Sequence, residues 1–180
     1  MKPKKIEITG LRKRWLISSL SPILVVLLLV AGTFCAGMAN YYYNMMLDGL
    51  KTRATHASDY FNNYSMNSYA SFYQAAATYT EEFAEKDRLE LQFISTSGRI
   101  ISSYGLTSGL SPGTPEIEEA LQTGEITPYR GVDPLTGEHI MSVSAPLLFN
   151  GRPVGVMRYV TSMAAVQREI LITAGVAVGI

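Results

Sequence analysis

The sequence predicts an α+β fold. An N-terminal transmembrane helix continues into a long helix packed on a five-stranded antiparallel sheet, and the start of a second transmembrane helix comes after it. Three observations predict it. Residues 15–39 and 170–180 are two uncharged, strongly apolar runs. The stretch between them opens with a three-four spacing of apolar residues. From Leu89 onward the spacing becomes alternating and is cut by turn residues.

The first apolar run, Trp15 to Ala39, has about 25 residues, enough at 1.5 Å per residue to cross a hydrocarbon core of about 30 Å. A buried core helix is the competing reading of such a run, and its length argues against it. Lys2, Lys4, Lys5, Arg12, Lys13 and Arg14 precede it against the single acid Glu7. That bias keeps the N-terminus in the cytoplasm and exports the acidic middle of the chain. Trp15 and Tyr41-Tyr42-Tyr43 stand at the two ends, as headgroup-level aromatics or as helix-contact residues. A cleaved signal peptide is the main competitor, with Gly37-Met38-Ala39 as a small-x-small site, but its apolar core is normally about 7–15 residues. The lone cysteine, Cys35, lies within this run, which leaves no intrachain disulfide.

No proline occurs between Pro22 and Pro112. Tyr43, Leu47, Leu50, Ala54, Ala57, Phe61 and Tyr64 form a stripe of the coiled-coil type. The spacing predicts a helix over Asn40–Arg88, with weak points at Gly49 and Asn62-Asn63. The stripe pairs with a second chain, covers a sheet, or divides between the two roles along its length.

Leu89 to Ile94 reads as a strand, Thr96–Arg99 as a turn, and Ile100 to Tyr104 as the returning strand. A loop with Gly105, Gly109, Pro112 and Gly113 comes next. Pro115 to Gln122 is a short helix, capped by Thr114, with acids in its first turn and Gly124 at its end. Ile126 to Val132 is the third strand, Asp133–Glu138 a turn, and His139 to Phe149 the fourth strand. Asn150-Gly151 is a hairpin turn, since both positions require φ > 0. Pro153 to Val160 is the last strand, and the chain turns helical again from Ser162. Tight hairpins make the sheet antiparallel.

The 180 residues are 47% hydrophobic and 17% charged, with a net charge of +0. That neutrality hides an asymmetry. From Lys51 to Glu169 and including Asp48, nine basic residues face fourteen acidic ones, so the middle is acidic. An acidic surface argues against a nucleic-acid partner. No His or Cys pair has metal-ligand spacing, and Asp133 and Glu138 bracket a turn without further identified oxygen ligands, so no metal or other cofactor is expected. No phosphate loop, nucleophile elbow or nucleophile–base set is present, so no catalytic residue is assigned. His56 reads as a solvated helix position, and neither His56 nor His139 has the surroundings of a phospho-acceptor.

Three segments carry a resemblance. Phe93–Ser103 (FISTSGRIISS) resembles the first hairpin of extracytoplasmic Cache (PAS-like) sensor domains. Asp133–Leu147 (DPLTGEHIMSVSAPL) resembles the later hairpin, and Asn150–Val156 (NGRPVGV) its closing turn and last strand. With the flanking apolar segments, the chain is similar to the input portion of a bacterial two-component sensor histidine kinase with a single-Cache ectodomain. The same module feeds chemoreceptors and diguanylate cyclases. The resemblance implies a bacterial plasma-membrane protein with a cytoplasmic basic tail (1–14), a transmembrane helix (15–39), an extracytoplasmic Cache-like sensor domain (40–168) and the truncated start of a second transmembrane helix (169–180). With the coiled-coil stripe it implies a homodimer through the membrane-proximal helices; it is silent on the ligand, and a small extracytoplasmic ligand of carboxylate type is read from Arg130.

The resemblance puts the ligand pocket on one sheet face, walled by Tyr104 to Thr127. Facing it would be Tyr129, Arg130 and one parity set of the fourth strand, either Ser142 with Ser144 or His139 with Met141 and Val143. Arg130 either grips a ligand carboxylate through two hydrogen bonds or pairs with Asp133 or a nearby Glu at the surface. Tyr104 and Tyr129 are pocket, core or rim aromatics, and His139 touches a ligand or stands at a turn edge. Two rival readings differ in class. A membrane-anchored, pilin-like structural protein also joins an apolar helix to a sheet, but the pilin pattern of a glutamate five residues into the mature chain is missing after Gly10. A secreted, signal-cleaved binding domain would begin near Asn40.

Overall fold

The computed structural model describes residues 9–63, 68–164 and 168. The chain forms two compact units, Met1–Tyr41 and Tyr42–Ile180. The expected second apolar segment, 169–180, lies outside the described residues, as does the tail up to residue 8.

The first unit holds the apolar part of helix α1 (Thr9–Asn62). Every large apolar side chain from Ile23 to Val30 is more than half exposed. Such a surface is costly in water and natural in hydrocarbon. The hydroxyl of Thr33 donates to the carbonyl of Leu29 at 2.6 Å, so this polar atom is satisfied within the helix. Among the described residues, one helix is long and apolar enough to cross a membrane, and it is this one.

The second unit is the sheet domain. It comprises the last part of α1, α2 (Tyr69–Glu81), β1 (Glu90–Ser95), β2 (Ile100–Ser103), α3 (Pro115–Thr123), β3 (Thr127–Val132), β4 (His139–Phe149) and β5 (Arg152–Ser162). The order across the sheet is β2-β1-β5-β4-β3, all pairs antiparallel. The last strand therefore enters the middle, between the first and the fourth.

One face of the sheet is covered by α1 and α2. Leu50, Ala54, Ala57 and Phe61 are buried at four-three-four spacing, and Tyr43 and Leu47 pack partly against the same core. The stripe seen in the sequence thus covers the sheet from Tyr43 to Phe61, and its last expected member, Tyr64, lies outside the described residues. Each large side chain buried this way contributes about 1.5–3 kcal/mol relative to exposure. Phe72, Ala76 and Thr80 bring α2 onto the same core, one turn apart. Phe72 meets Phe61 at 5.8 Å and Phe149 at 5.6 Å, both edge-on.

The expected helix over Asn40–Arg88 is instead two helices. The first ends at Asn62, one of the two expected weak points, while Gly49 lies inside it. Asn62 has a structural use there. Its Oδ1 accepts the amide of Leu148 at 2.8 Å, where the β4–β5 register shifts between Leu147 and Leu148. Ser68 caps the start of α2 by accepting from the amide of Ser71.

The turns obey the sequence chemistry. Asn150 and Gly151 have φ of 53° and 74°, as a two-residue hairpin requires. Gly124 ends α3 in the left-handed region at φ 71°. β5 runs to Ser162, two residues beyond its expected end.

Candidate functional site

The other sheet face lies under α3. Residues directly opposite in neighbouring strands share a face. Gln92 is paired with Arg158, Arg158 with Ser144, and Ser144 with Thr127, so these four form one row across β1, β5, β4 and β3. Ser142 and Tyr129 pair in the next row of this face. Near β1 and β2 the face is apolar, with Ile94, Ile100, Val156, Ile117 and Ala120 in one cluster. Toward β3 and β4 it is polar.

Arg158 is the centre of the polar part and is 0% exposed. Its Nε donates to Glu116 Oε1 at 2.8 Å, one amino group to Gln92 Oε1 at 2.9 Å and the other to the Thr114 hydroxyl at 3.0 Å. Asp133 Oδ2 stands 3.6 Å away as a second acid. Glu116 is 1% exposed. Its Oε1 also accepts from the hydroxyls of Ser142 at 2.6 Å and Thr114 at 2.9 Å. The network extends outward, since Gln92 donates to Glu90 at 3.0 Å and Ser103 donates to the same oxygen at 2.6 Å. Such a cluster is tolerable in a dry interior only because nearly every donor and acceptor is paired. Two atoms are exceptions, Glu116 Oε2 and the hydroxyl of Ser144, both buried without a partner.

The start of α3 is shaped by this cluster. Thr114 occupies the N-cap position, yet its side chain makes no cap bond, because its hydroxyl serves Glu116 and Arg158. Glu116 reads in the sequence as one of the acids of the helix's first turn. It points into the sheet instead, drawn by the guanidinium beneath. Beside the cluster, a groove of about 540 Å³ runs between the β1–β2 turn and the first turn of α3, lined by Thr96, Ser97, Ser111, Gly113, Thr114 and Ile117 among others. Thr114 borders both the groove and the buried cluster.

The six candidate residues of the sequence divide among three places. Tyr129, Ser142 and Ser144 lie on the α3 face. Tyr129 folds back along its own strand, its hydroxyl donating to the carbonyl of Val132 at 3.1 Å. Arg130 and His139 belong to the opposite parity, on the α1 side, and both are exposed. The Arg130 guanidinium sits 4.0 Å from the ring centre of Tyr43 on α1. Asp133, a candidate partner for Arg130, faces Arg158. Tyr104 is 63% exposed just after β2, with Lys86 over its ring at 4.5 Å.

Arg158, Glu116, Gln92 and Thr114 are not among the sequence candidates. A signal for Arg158 is present in the sequence all the same. In Val154–Val160 both parities are apolar except for this one residue, so the strand is buried on both faces and a charge within it must be buried too.

A five-stranded antiparallel sheet with paired helices on one face and a short helix over a polar centre on the other is a PAS/Cache-like α+β domain. The fold is that of chemoreceptor ligand-binding domains. The ligand-binding domain of Campylobacter jejuni chemoreceptor Tlp3, in complex with 4-methylisoleucine, matches with a TM-score of 0.60 at 11% identity, over 76% of this chain and 59% of that one. The ligand-binding domain of Mlp24 with asparagine matches with a TM-score of 0.55 at 17% identity, over 75% and 58%. The ligand-binding domain of the Pseudomonas aeruginosa PAO1 amino acid chemoreceptor PctC, in complex with GABA, matches with a TM-score of 0.50 at 16% identity, over 78% and 64%. The chain thus spans less than two thirds of the length of these domains. No protein-family model and no curated protein sequence matches it.

Proposed function

We propose that this chain is the input part of a membrane receptor, anchored by α1 and sensing a small extracytoplasmic molecule with its sheet domain. The observation that carries the reading is the polar centre beneath α3, set in a fold shared with chemoreceptor ligand-binding domains. The basic residues before Trp15 support a cytoplasmic N-terminus, with residues 40–168 exported. The output domain is a histidine kinase in the sequence resemblance and a chemoreceptor signalling domain by analogy with the structural neighbours. A homodimer through the membrane-proximal helices would use the face of α1 exposed at Met45, since its other stripe covers the sheet. Tyr129, Ser142 and Ser144, expected to touch ligand, share the α3 face with this polar centre, which supports the reading.

A ligand acts by binding two arrangements unequally. α3 packs on β3, β4 and β5. A molecule that changes how α3 sits on the sheet would act on β5, the strand that leads out of the domain toward Ser162. The test is a fusion of the full chain to a chemoreceptor signalling domain, screened against amino acids and small carboxylic acids. A graded response to one chemical class is expected. A correctly inserted fusion that responds to none, with no compound raising the Tm of the chain, would overturn the reading.

A further inference from the structure

We propose that Arg158 is a carboxylate-binding centre that the protein occupies with its own Glu116. Three features of the cluster point there. The grip is one-sided, because Glu116 Oε1 takes three hydrogen bonds while Oε2 takes none. A carboxylate free to choose its position would bridge Nε and the adjacent amino group of a guanidinium with two parallel bonds. Here the second of those donors goes to Thr114. A side chain rooted on α3 therefore fills the place of a carboxylate without making its full set of contacts.

A spare hydroxyl adjoins the site. Ser144 stands directly opposite Arg158 in the β4–β5 ladder, buried and without a partner. The groove of about 540 Å³ ends at Thr114, whose hydroxyl already touches both members of the ion pair. Thr114 is thus shared by groove and cluster. Core packing alone does not require such a centre, because buried ion pairs are commonly replaceable by apolar residues at no loss of stability.

The consequence is a site closed from within. A carboxylate held in place by its own helix acts at an effective concentration far above the millimolar range of a flexible tether. A bare carboxylate such as acetate cannot displace it, whereas a larger ligand with contacts in the groove can. Displacement would free the first turn of α3 from β5. This last step rests on the sensor reading; the occupancy of Arg158 by Glu116 does not.

The test uses the full chain in detergent, with acetate as probe against chloride at equal ionic strength. Glu116→Ala opens the place and should lower Tm in chloride. Acetate should then restore about 4 °C or more to E116A at saturation. Wild type, E116Q (whose amide still fills the space) and the double variant E116A/R158M should each gain nothing. If E116A is not recovered folded in chloride, the yield of folded protein in acetate against chloride gives the same comparison, with E116Q as the folded control. No rescue of E116A, equal gain by wild type, or equal gain by the double variant would each overturn the proposal. Failure here leaves the signalling fusion free to respond, and a silent fusion leaves acetate rescue intact, so the two ideas fall separately.

Discussion

A Cβ at Gly155 would lie 2.5 Å from the carbonyl oxygen of Ile94, across the β1–β5 ladder. The Phe93 ring would be 2.9 Å away on the same side. Backbone cannot retreat from such a contact without opening the ladder. This glycine is what lets β5 enter beside β1. Gly155→Ala should destabilise the domain by about 1–3 kcal/mol through overpacking. Denaturant unfolding of the full chain in detergent measures it. A variant as stable as wild type would show that β1 and β5 are not so closely packed.

The same two strands mark the boundary of what the sequence discloses. β4 is legible end to end, because the Asp133–Glu138 turn and the Asn150-Gly151 hairpin bracket an apolar run. α3 is legible from Thr114, Pro115 and Gly124. The central place of β5 is not, since its pairing with β1 joins residues sixty or more positions apart and leaves no local trace. The site is legible in part. Ser142 and Ser144 form one of two parity sets, and only the tertiary placement of α3 selects between faces. Glu116 looks like an ordinary first-turn acid, because its partner Arg158 is remote in sequence.

Asn62 ties α1 to β4 where the β4–β5 register shifts, and its side chain makes two hydrogen bonds there. Its Oδ1 accepts from the amide of Leu148, and its Nδ2 donates to the Ser58 hydroxyl at 3.0 Å. That hydroxyl in turn donates to the carbonyl of Pro146 at 2.8 Å. Asn62→Ala removes both bonds and should cost about 1–3 kcal/mol, at about 0.5–1.5 kcal/mol net for each. Asn62→Asp keeps the acceptor and should be milder. Hydrogen exchange at Leu148 should quicken in N62A and change less in N62D. Unchanged protection in N62A would mean that the amide has another acceptor.

Tyr159 makes stability fall at alkaline pH. Burial raises its phenol well above the ordinary value of 10.0, and the charge and hydrogen bond of Tyr79 push the same way. The folded protein therefore holds this proton to higher pH than the unfolded chain does. Below about 10 both states are protonated and the contribution is fully present. Above it the unfolded chain loses the proton first, and stability falls as pH rises toward the folded-state value. Tm against pH should bend downward above about 10 in wild type. Tyr159→Phe should flatten that limb. A residual slope is expected from Tyr73, also raised by burial and then by Tyr69. An alkaline limb as steep in Y159F as in wild type would assign the fall to other groups.

Arg130 and Ser142 separate the two sheet faces in a functional assay. Arg130 is exposed on the α1 side, its guanidinium over Tyr43, and a solvated contact of this kind contributes at most about 0.5–1 kcal/mol. Ser142 is 0% exposed on the α3 side and donates to Glu116. If ligand binds beneath α3, R130A should keep its Tm within a few degrees and leave the ligand response of the signalling fusion unchanged. S142A removes one of the three donors that hold Glu116 Oε1 in its place. It should loosen α3 and shift the half-maximal ligand concentration by several-fold. The reverse pattern, a response abolished by R130A and untouched by S142A, would put the carboxylate grip at Arg130, on the α1 face beside Tyr43. Measuring both variants in one fusion background decides between the faces, because neither change disturbs the apolar core that holds the sheet to α1 and α2.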